Sequence, residues 1–217
     1  MAQVEDYILS DGHIMPYEPM SRENVLITNH LPFNNCLGEK TKLFKSMFHY
    51  YKNFRKSDPF DILPVTYTVR NTDDPEFKRF LRDNEYKKKM GENSVWIVKP
   101  GEDTNRGYGI KLAMAEDIGK IIKDCRRQTY IIQSYIERPQ LYYGRKFDIR
   151  HFLLVTSVNG FIKGYWLKEG YIRTSSEIYN CNKEDLQNNF IHLTNDAIQR
   201  QSQNYGKFEP ANKLSYL

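Results

Sequence analysis

SVWIVKPGEDTNRGYGI, residues 94–110, runs as an apolar segment ending in a lysine, a glycine-containing turn with one arginine, and a second apolar segment. This predicts a strand that delivers Lys99 to its end and a loop over Arg106, Gly107 and Gly109 in which glycine permits a tight backbone. Backbone N–H groups in such a loop converge on an anion, and the lysine adds charge beside them. A second stretch, QSYIERPQLYYGRKFDIRHFLLVT, residues 133–156, places RKFDIR before a run of strand-forming residues. If 146–156 is a strand, Lys146, Asp148 and Arg150 share one face, spaced roughly 6–7 Å apart, and Phe147 and Ile149 take the other. A row of ionisable groups suits a polar cleft, where cations hold phosphate or carboxylate and the carboxylate orients a lysine or a metal. The plainer use of such alternation is a solvent-facing row on an antiparallel sheet.

The chain has 217 residues, 40% of them hydrophobic, enough for one large domain or two small ones. Thirty-two Lys and Arg against 27 Asp and Glu give a formal charge of +5, which favours an acidic partner: nucleic acid, an acidic peptide or ATP. Cys36, Cys125 and Cys181 are too far apart for metal spacing and read as free thiols of a reducing compartment. His13, His30, His49, His151 and His192 show no metal spacing either. The N-terminal MAQVEDYILSDG lacks a basic-then-apolar signal region, and no apolar run approaches the ~18 residues that span a bilayer. The expectation is a cytoplasmic protein without a membrane role, and the ordered phosphate-site motifs, not the charge, argue against nucleic acid.

Along the chain, residues 1–22 read as an irregular arm with Gly12, Pro16 and Pro19. VLITN (25–29) reads as a strand, 39–53 as a helix with Leu43, Phe44, Met47, Phe48 and Tyr51 on one stripe, and 63–69 as a strand. A helix begins at Pro75, and a charged stretch follows, so 23–92 is expected as an N-terminal α/β subdomain and 93–217 as the remainder. In the remainder, 115–128 reads as a helix, 130–136 as a strand, and about 147–157 and 161–167 as two long strands joined across Val158-Asn159-Gly160. Strand, helix, strand and then an antiparallel pair make a mixed α/β fold.

WIVKPG with TNRGYGI, QSYIERP, GRKFDIR, EGYIRTSSEIYN, HLTNDAIQ and NYGKFEPANKLS, in this order, resemble the tubulin tyrosine ligase family from about Val25 to Leu217. The resemblance implies an α/β (α+β), ATP-grasp-like fold with mixed sheets and flanking helices. It implies a ligase that joins an amino acid to a tubulin carboxylate through an acyl phosphate, using ATP and Mg²⁺, with the acidic tubulin or microtubule tail and a free amino acid as partners. An address on cytoplasmic microtubules, or those of a cilium, goes with it. EGYIRTSSEIYN and NYGKFE look more like the tyrosine ligase than its polyglutamylating or polyglycylating branches, so tyrosine is the expected amino acid, with glutamate and glycine as alternatives. Asp196-Ala197 stands where the polyglutamylating branch has Tyr-Ser.

Carried over by motif, Lys40 and Lys99 contact phosphates, with Arg106 and Gly107 in the phosphate loop. Gln133, Ser134, Tyr135 and Ile136 form the hinge whose backbone meets adenine. Lys146, Phe147 and Asp148 complete the nucleotide site with Thr194 and Asn195 nearby, and Arg150, Arg173 and Lys213 handle the acyl phosphate and substrate carboxylates. Cations placed where negative charge develops are what phosphoryl transfer requires. Plainer readings stand beside these: Lys40 as one charge on a wet helix face, Arg173 paired with Glu177 in a surface turn, Thr194 and Asn195 as a helix cap. Family members continue into an Asp and a Glu-x-Asn motif that hold magnesium, without counterparts here. The expectation is therefore an incomplete C-terminal part and a chain inactive on its own, or a noncatalytic nucleotide- or tubulin-binding homologue.

Overall fold

The structure, a computed structural model, describes residues 7–8, 27–28, 31, 33–92, 94–102, 105–124 and 129–215. The irregular arm expected over 1–22 lies outside the described residues apart from Tyr7–Ile8 (β1), which pairs in parallel with Ile27–Thr28 (β2). Cys125, Gln128, His13 and His30 also lie outside them.

Asn35–Gly38 (α1) leads into Lys40–His49 (α2), whose axis continues as a π-helical turn, Tyr50–Arg55, before Lys56 ends it in the left-handed region at φ 56°. The strand expected over 63–69 is Thr66–Val69 (β3). Pro75–Lys89 (α3) starts where expected, because Pro75 occupies the first turn and the Asp74 carboxylate accepts from Glu76 N at 3.0 Å. Lys87, Lys88 and Lys89 complement its C-terminal dipole. Val95–Pro100 (β4) and Lys111–Met114 (β5) flank the segment expected as a phosphate loop. A 3₁₀ turn, Ala115–Asp117, then opens Ile118–Asp124 (α4), which is followed by Tyr130–Ser134 (β6).

These strands form an antiparallel sheet in the order β3-β6-β4-β5. Period-two alternation gives it two faces. Tyr67, Val69, Trp96, Val98, Tyr130 and Ile132 pack on one side against Phe77 and Phe80 of α3 and Ile118 and Ile122 of α4. Trp96 is 1% exposed, edge-on to Phe80 at 5.1 Å between centroids, and its indole N–H donates to Asn84 Oδ1 at 2.9 Å. This core runs across residue 92, where a subdomain boundary is expected: β3 and α3 share sheet and core with β4 and β6.

The second half contains Leu141–Tyr142 (β7), Arg145–Arg150 (β8), Leu153–Val158 (β9), Phe161–Trp166 (β10) and Tyr171–Ile178 (β11). Asn189–His192 (α5), Asp196–Gln199 (α6) and Lys213–Ser215 (β12) follow. A second antiparallel sheet has the order β12-β11-β8-β7, while β9 and β10 pair only with each other. The single strand expected over 147–157 is thus two strands belonging to different sheets. The break falls at His151-Phe152, where the His151 ring meets Trp166 at 4.6 Å and Leu167 N donates to Phe152 O at 3.0 Å, closing the hairpin base. The hairpin turns at Asn159 (φ 49°) and Gly160 (φ 81°), the left-handed pair of a type I′ turn. A second buried cluster, with Ile97, Leu112, Tyr135, Leu186, Leu193 and Ile198, joins the opposite face of the first sheet to the α5–α6 segment. The result is the mixed α/β class. Among the described residues no helix is long and apolar enough to cross a membrane.

Phe80 is fully enclosed between Tyr67, Phe77 and Trp96. Phe80→Ala should therefore lower unfolding free energy by about 3–5 kcal/mol, whereas Leu154→Ser on the exposed hairpin should cost well under 1 kcal/mol, both read from urea denaturation midpoints.

Candidate nucleotide and carboxylate site

The face of the first sheet opposite α3 carries Thr66 of β3, Gln133 of β6 and Lys99 of β4. Thr66 and Gln133 are direct cross-strand partners, and Gln133 pairs with Ile97, one side-chain step from Lys99. Lys99 Nζ donates to Gln133 Oε1 at 2.7 Å, and Gln133 Nε2 donates to Thr66 Oγ1 at 2.9 Å. Lys40 is brought toward Lys99 by a close approach behind it. A Cβ on Gly101 would overlap Thr41 Cγ2 and Thr129 Oγ1, so the glycine lets the N-terminus of α2 settle against the end of β4. Burial and then the positive charge of Lys40 lower the Lys99 pKa, and burial lowers that of Lys40.

The second sheet contributes a row across three adjacent strands: Asp148 of β8 opposite Arg173 of β11, and Arg173 opposite Lys213 of β12. Arg173 grips Asp148 through two parallel bonds, Nε to Oδ1 at 2.8 Å and Nη2 to Oδ2 at 2.7 Å, and Thr194 Oγ1 also donates to Oδ2. Lys213 Nζ lies 3.6 Å from Asp196 Oδ1, which also accepts from Tyr205 OH at 2.7 Å. Arg173 therefore pairs with Asp148 instead of Glu177, which accepts from Asn204.

Lys146, two residues before Asp148 on β8, ties the sheets together. Its ammonium donates to Tyr135 OH at 2.8 Å and His192 O at 3.0 Å and lies 4.5 Å from the centre of the Tyr135 ring. His192 Nε2 contacts Asp185 O at 3.2 Å, so Nε2 carries the proton, and Nδ1 accepts from Tyr135 OH at 3.0 Å. Burial lowers the His192 pKa, so the ring is neutral near pH 7. Burial, followed by repulsion from Lys99, pulls Lys146 down to about 8. Three desolvated lysines thus face one cleft, a cradle for a polyanion.

The loop expected to cover phosphate returns to the same place. Arg106, Gly107 and Gly109 all have positive φ (58°, 86° and 73°), and a Cβ on Gly107 would lie 2.8 Å from Asn195 Oδ1. Asn195 is the residue before α6 but makes no side-chain cap bond. Thr194 points to Asp148 instead, so neither side chain caps the helix. In the hinge, Ser134 N and Tyr135 N are already bonded to Val65 O (2.8 Å) and Val95 O (3.0 Å). The Ile136 N–H has no hydrogen-bond partner among the described residues.

Two expected site residues stand apart. Strand alternation puts Phe147 with Arg145 on the opposite face of β8 from Lys146 and Asp148. Arg150 shares the Lys146 face but is exposed at the strand end, its guanidinium 5.4 Å from the centre of the Phe152 ring.

Sequence comparison bears directly on this cleft. The model of the family described as Tubulin-tyrosine ligase family matches residues 19–215, which contain every residue of the cleft described in this subsection. The chain belongs to this family. It is 30% identical over 215 residues to the probable alpha-tubulin polyglutamylase Ttll1 of Tetrahymena thermophila, covering 88% of this chain and 50% of that protein. It is 29% identical over 180 residues to the tubulin monoglutamylase TTLL4 of Mus musculus (82% of this chain, 14% of that protein). Against the tubulin glycylase 3B of Drosophila melanogaster it is 36% identical over 115 residues (52% and 15%). The chain spans half or less of the length of these relatives.

Membership in the tubulin-tyrosine ligase family fits the ATP-grasp-like mixed α/β fold, and the structure adds groups that single-residue reasoning missed. Behind β8, Arg145 forms a buried ion pair with Glu209 and donates to Ser175 O at 3.1 Å, while Thr174 Oγ1 donates to Glu209 Oε2 at 2.9 Å. Asn212 donates to Thr174 O at 3.1 Å and Ser176 Oγ at 2.9 Å, and accepts from Gly206 N at 2.8 Å. This network fastens the segment before β12 to β11 and so sets where Lys213 and Arg173 stand. Only the adjacency of Arg145 to Lys146 and of Asn212 to Lys213 hinted at it in the sequence.

Two outcomes follow. Glu209→Ala strands the Arg145 charge and should cost about 3–5 kcal/mol in urea unfolding. The Lys146 ammonium is the form that holds an anion, and it is present below its pKa of about 8 and lost above it. Affinity for an ATP analogue should therefore fall from pH 7 to 9, with proton uptake on binding near pH 8, measured by calorimetry in buffers of differing ionisation enthalpy. Lys146→Met should bind weakly and remove the proton uptake.

Proposed function

We propose that the chain is the nucleotide-binding part of an ATP-dependent ligase that joins an amino acid to a side-chain carboxylate of tubulin. The observation that supports this most directly is the convergence of Lys40, Lys99 and Lys146 on one desolvated cleft, beside the Asp148–Arg173–Lys213 row. The lysines neutralise the nucleotide phosphates as an acceptor carboxylate oxygen attacks the γ-phosphorus and ADP leaves. The amine of the incoming amino acid then attacks the acyl carbon of the resulting acyl phosphate, loses a proton, and phosphate departs. Arg173 and Lys213 offer cationic groups for the carboxylates of the two substrates, Arg173 after exchange of its bond to Asp148.

The names of the relatives support glutamate or glycine as the added residue. Tyrosine, favoured by EGYIRTSSEIYN and NYGKFE, draws no support from those three names. The acidic tail of tubulin suits the positive chain, and work on microtubules in the cytoplasm goes with that substrate. Mg²⁺, which the family resemblance implies, does not fit the described residues. No three His, Cys, Asp or Glu side chains among them come together, and both oxygens of Asp148 are engaged by Arg173 and Thr194. No step is assigned through the ion. The closed Asp148–Arg173 pair also favours a second reading, in which the chain binds nucleotide and tubulin without ligation.

Purified chain should bind a fluorescent ATP analogue. Lys99→Met and Lys146→Met should each weaken it about tenfold or more, equivalent to at least about 1.4 kcal/mol, while Arg173→Ala leaves it unchanged. Unchanged affinity in both lysine variants would sink the assignment of the cleft. Transfer of labelled glutamate, glycine or tyrosine to tubulin with stoichiometric ADP release would select ligation. Tight nucleotide binding without transfer would select the second reading.

A further inference from the structure

The first sheet ends at β5, the last strand in the order β3-β6-β4-β5. Tyr135 N donates to Val95 O at 3.0 Å, so the backbone of Val95 faces β6, and alternation turns Trp96 and Val98 toward their partners Ala113 and Lys111 on β5. The backbone groups of Leu112 and Met114 consequently face the free edge. Gln187 Nε2 donates to one of them, Leu112 O. The Leu112 and Met114 N–H groups have no hydrogen-bond partner among the described residues. Beside this edge lies a cleft of about 330 Å³, with Ala113, Met114, Ile121 and Leu186 as its apolar surface. Three lysines rim it. Lys120 is held by Asp117 at 2.9 Å and Lys183 by Glu116 at 3.1 Å, exposed pairs of small net worth. Lys111 has no ion-pair partner among the described residues. The cleft therefore combines one uncompensated cation, outward N–H donors and an apolar floor, and its own acid, Asp117, is already engaged.

The wall facing β5 is the 183–187 segment, and it leads to the nucleotide cleft. Leu186 is 3% exposed and packs in the cluster that contains Tyr135 and Leu193. Its neighbour Asp185 accepts, through the carbonyl, the bond from His192 Nε2–H that orients the ring for Tyr135 and so for Lys146. A ligand that holds this segment against β5 also holds the far end of the chain that positions Lys146. We propose that this cleft is an effector site for a small organic monocarboxylate with an apolar body. The carboxylate meets the Lys111 ammonium and the edge N–H groups, the body lies on Met114, Ile121 and Leu186, and Lys183 exchanges Glu116 for the ligand. A monoanion matches the single uncompensated cation, whereas a phosphate dianion would crowd Asp117. The volume falls at the low end of the roughly 300–1,000 Å³ of small-molecule sites, which suits a body of one or two rings. The binding site stands apart from the ligase reading, and only its effect on nucleotide rests on that reading.

The test is 2-naphthoate titrated against the full chain by ligand-observed NMR. Lys111→Glu/Lys183→Glu should weaken binding about fivefold or more, whereas Lys163→Glu/Lys168→Glu, an equal charge change on and beside the exposed apolar hairpin β9–β10, should stay within about twofold. On the unaltered protein, 2-naphthamide, which keeps the body and lacks the charge, should bind at least about fivefold more weakly, and this needs no variant to fold. No binding of 2-naphthoate, equal loss in both double variants, no loss in the first, or equal binding of the amide would overturn the site. Tighter binding of 2-naphthyl phosphate would overturn the carboxylate assignment. Saturating 2-naphthoate should also tighten a fluorescent ATP analogue about threefold. Binding of the probe with unchanged analogue affinity would overturn the effector role. A chain that binds no nucleotide at all would sink the ligase reading and leave the probe's site standing.

Discussion

The Lys146 ammonium is held between the two sheets by the Tyr135 hydroxyl and the His192 carbonyl. Neither acceptor is charged, so the cation is solvated by oriented dipoles without being neutralised. Tyr135 directly follows β6, the strand of the first sheet that carries Gln133, and His192 ends α5, which packs on the second sheet. The distance between the sheets is thereby set by the group that needs an anion. Neutral His192 completes the arrangement: its Nε2–H donates to Asp185 O, so Nδ1 accepts from Tyr135 and turns the phenolic lone pairs toward Lys146. A protonated ring would have two donors and break that chain.

The same logic explains the division of β8. Its Lys146–Asp148 face looks into the cleft, while Arg145 on the other face is fully matched by Glu209 within a saturated hydrogen-bond network. A buried ion pair is weak evidence for net stability but strong evidence for register, because losing either partner leaves an unpaired charge. One residue of slip would put Arg145 in the cleft and Lys146 against Glu209. The paired face thus fixes which cations remain uncompensated on the other.

The elements most legible in sequence were those whose cause is local. The Asp74-Pro75 start of α3, the Asn159-Gly160 turn and the Lys99 strand each follow from residues within a few positions. The Lys146–Asp148 alternation was equally plain, since strand period alone assigns the shared face. What sequence could not supply depends on partners distant along the chain. The division of 147–157 into two strands comes from His151 meeting Trp166 and from the pairing of β8 with β11, neither of which alters the unbroken strand-like composition of that stretch. Likewise, residue 92 looks like a boundary because its surroundings are charged, yet β3 is carried into the sheet by pairing with β6. Arg173 stood out in the sequence only as a candidate cation, and its grip on Asp148 required the register of β11 against β8.

That grip bears on how the cleft could work. Arg173 and Thr194 engage both oxygens of Asp148, and the Nε and Nη2 donors of Arg173 are committed to it. A carboxylate arriving at Arg173 would compete with Asp148 for it, and each bond Arg173 gave up would free carboxylate oxygen in the same step. Occupancy and site geometry are then coupled through one side-chain pair. Lys213, beside Arg173 in register and held 3.6 Å from Asp196, would face a similar choice between its acid and an arriving carboxylate. Paired acids of this kind keep the cationic row in place without substrate, and the row becomes available only when a stronger or better-placed anion displaces them.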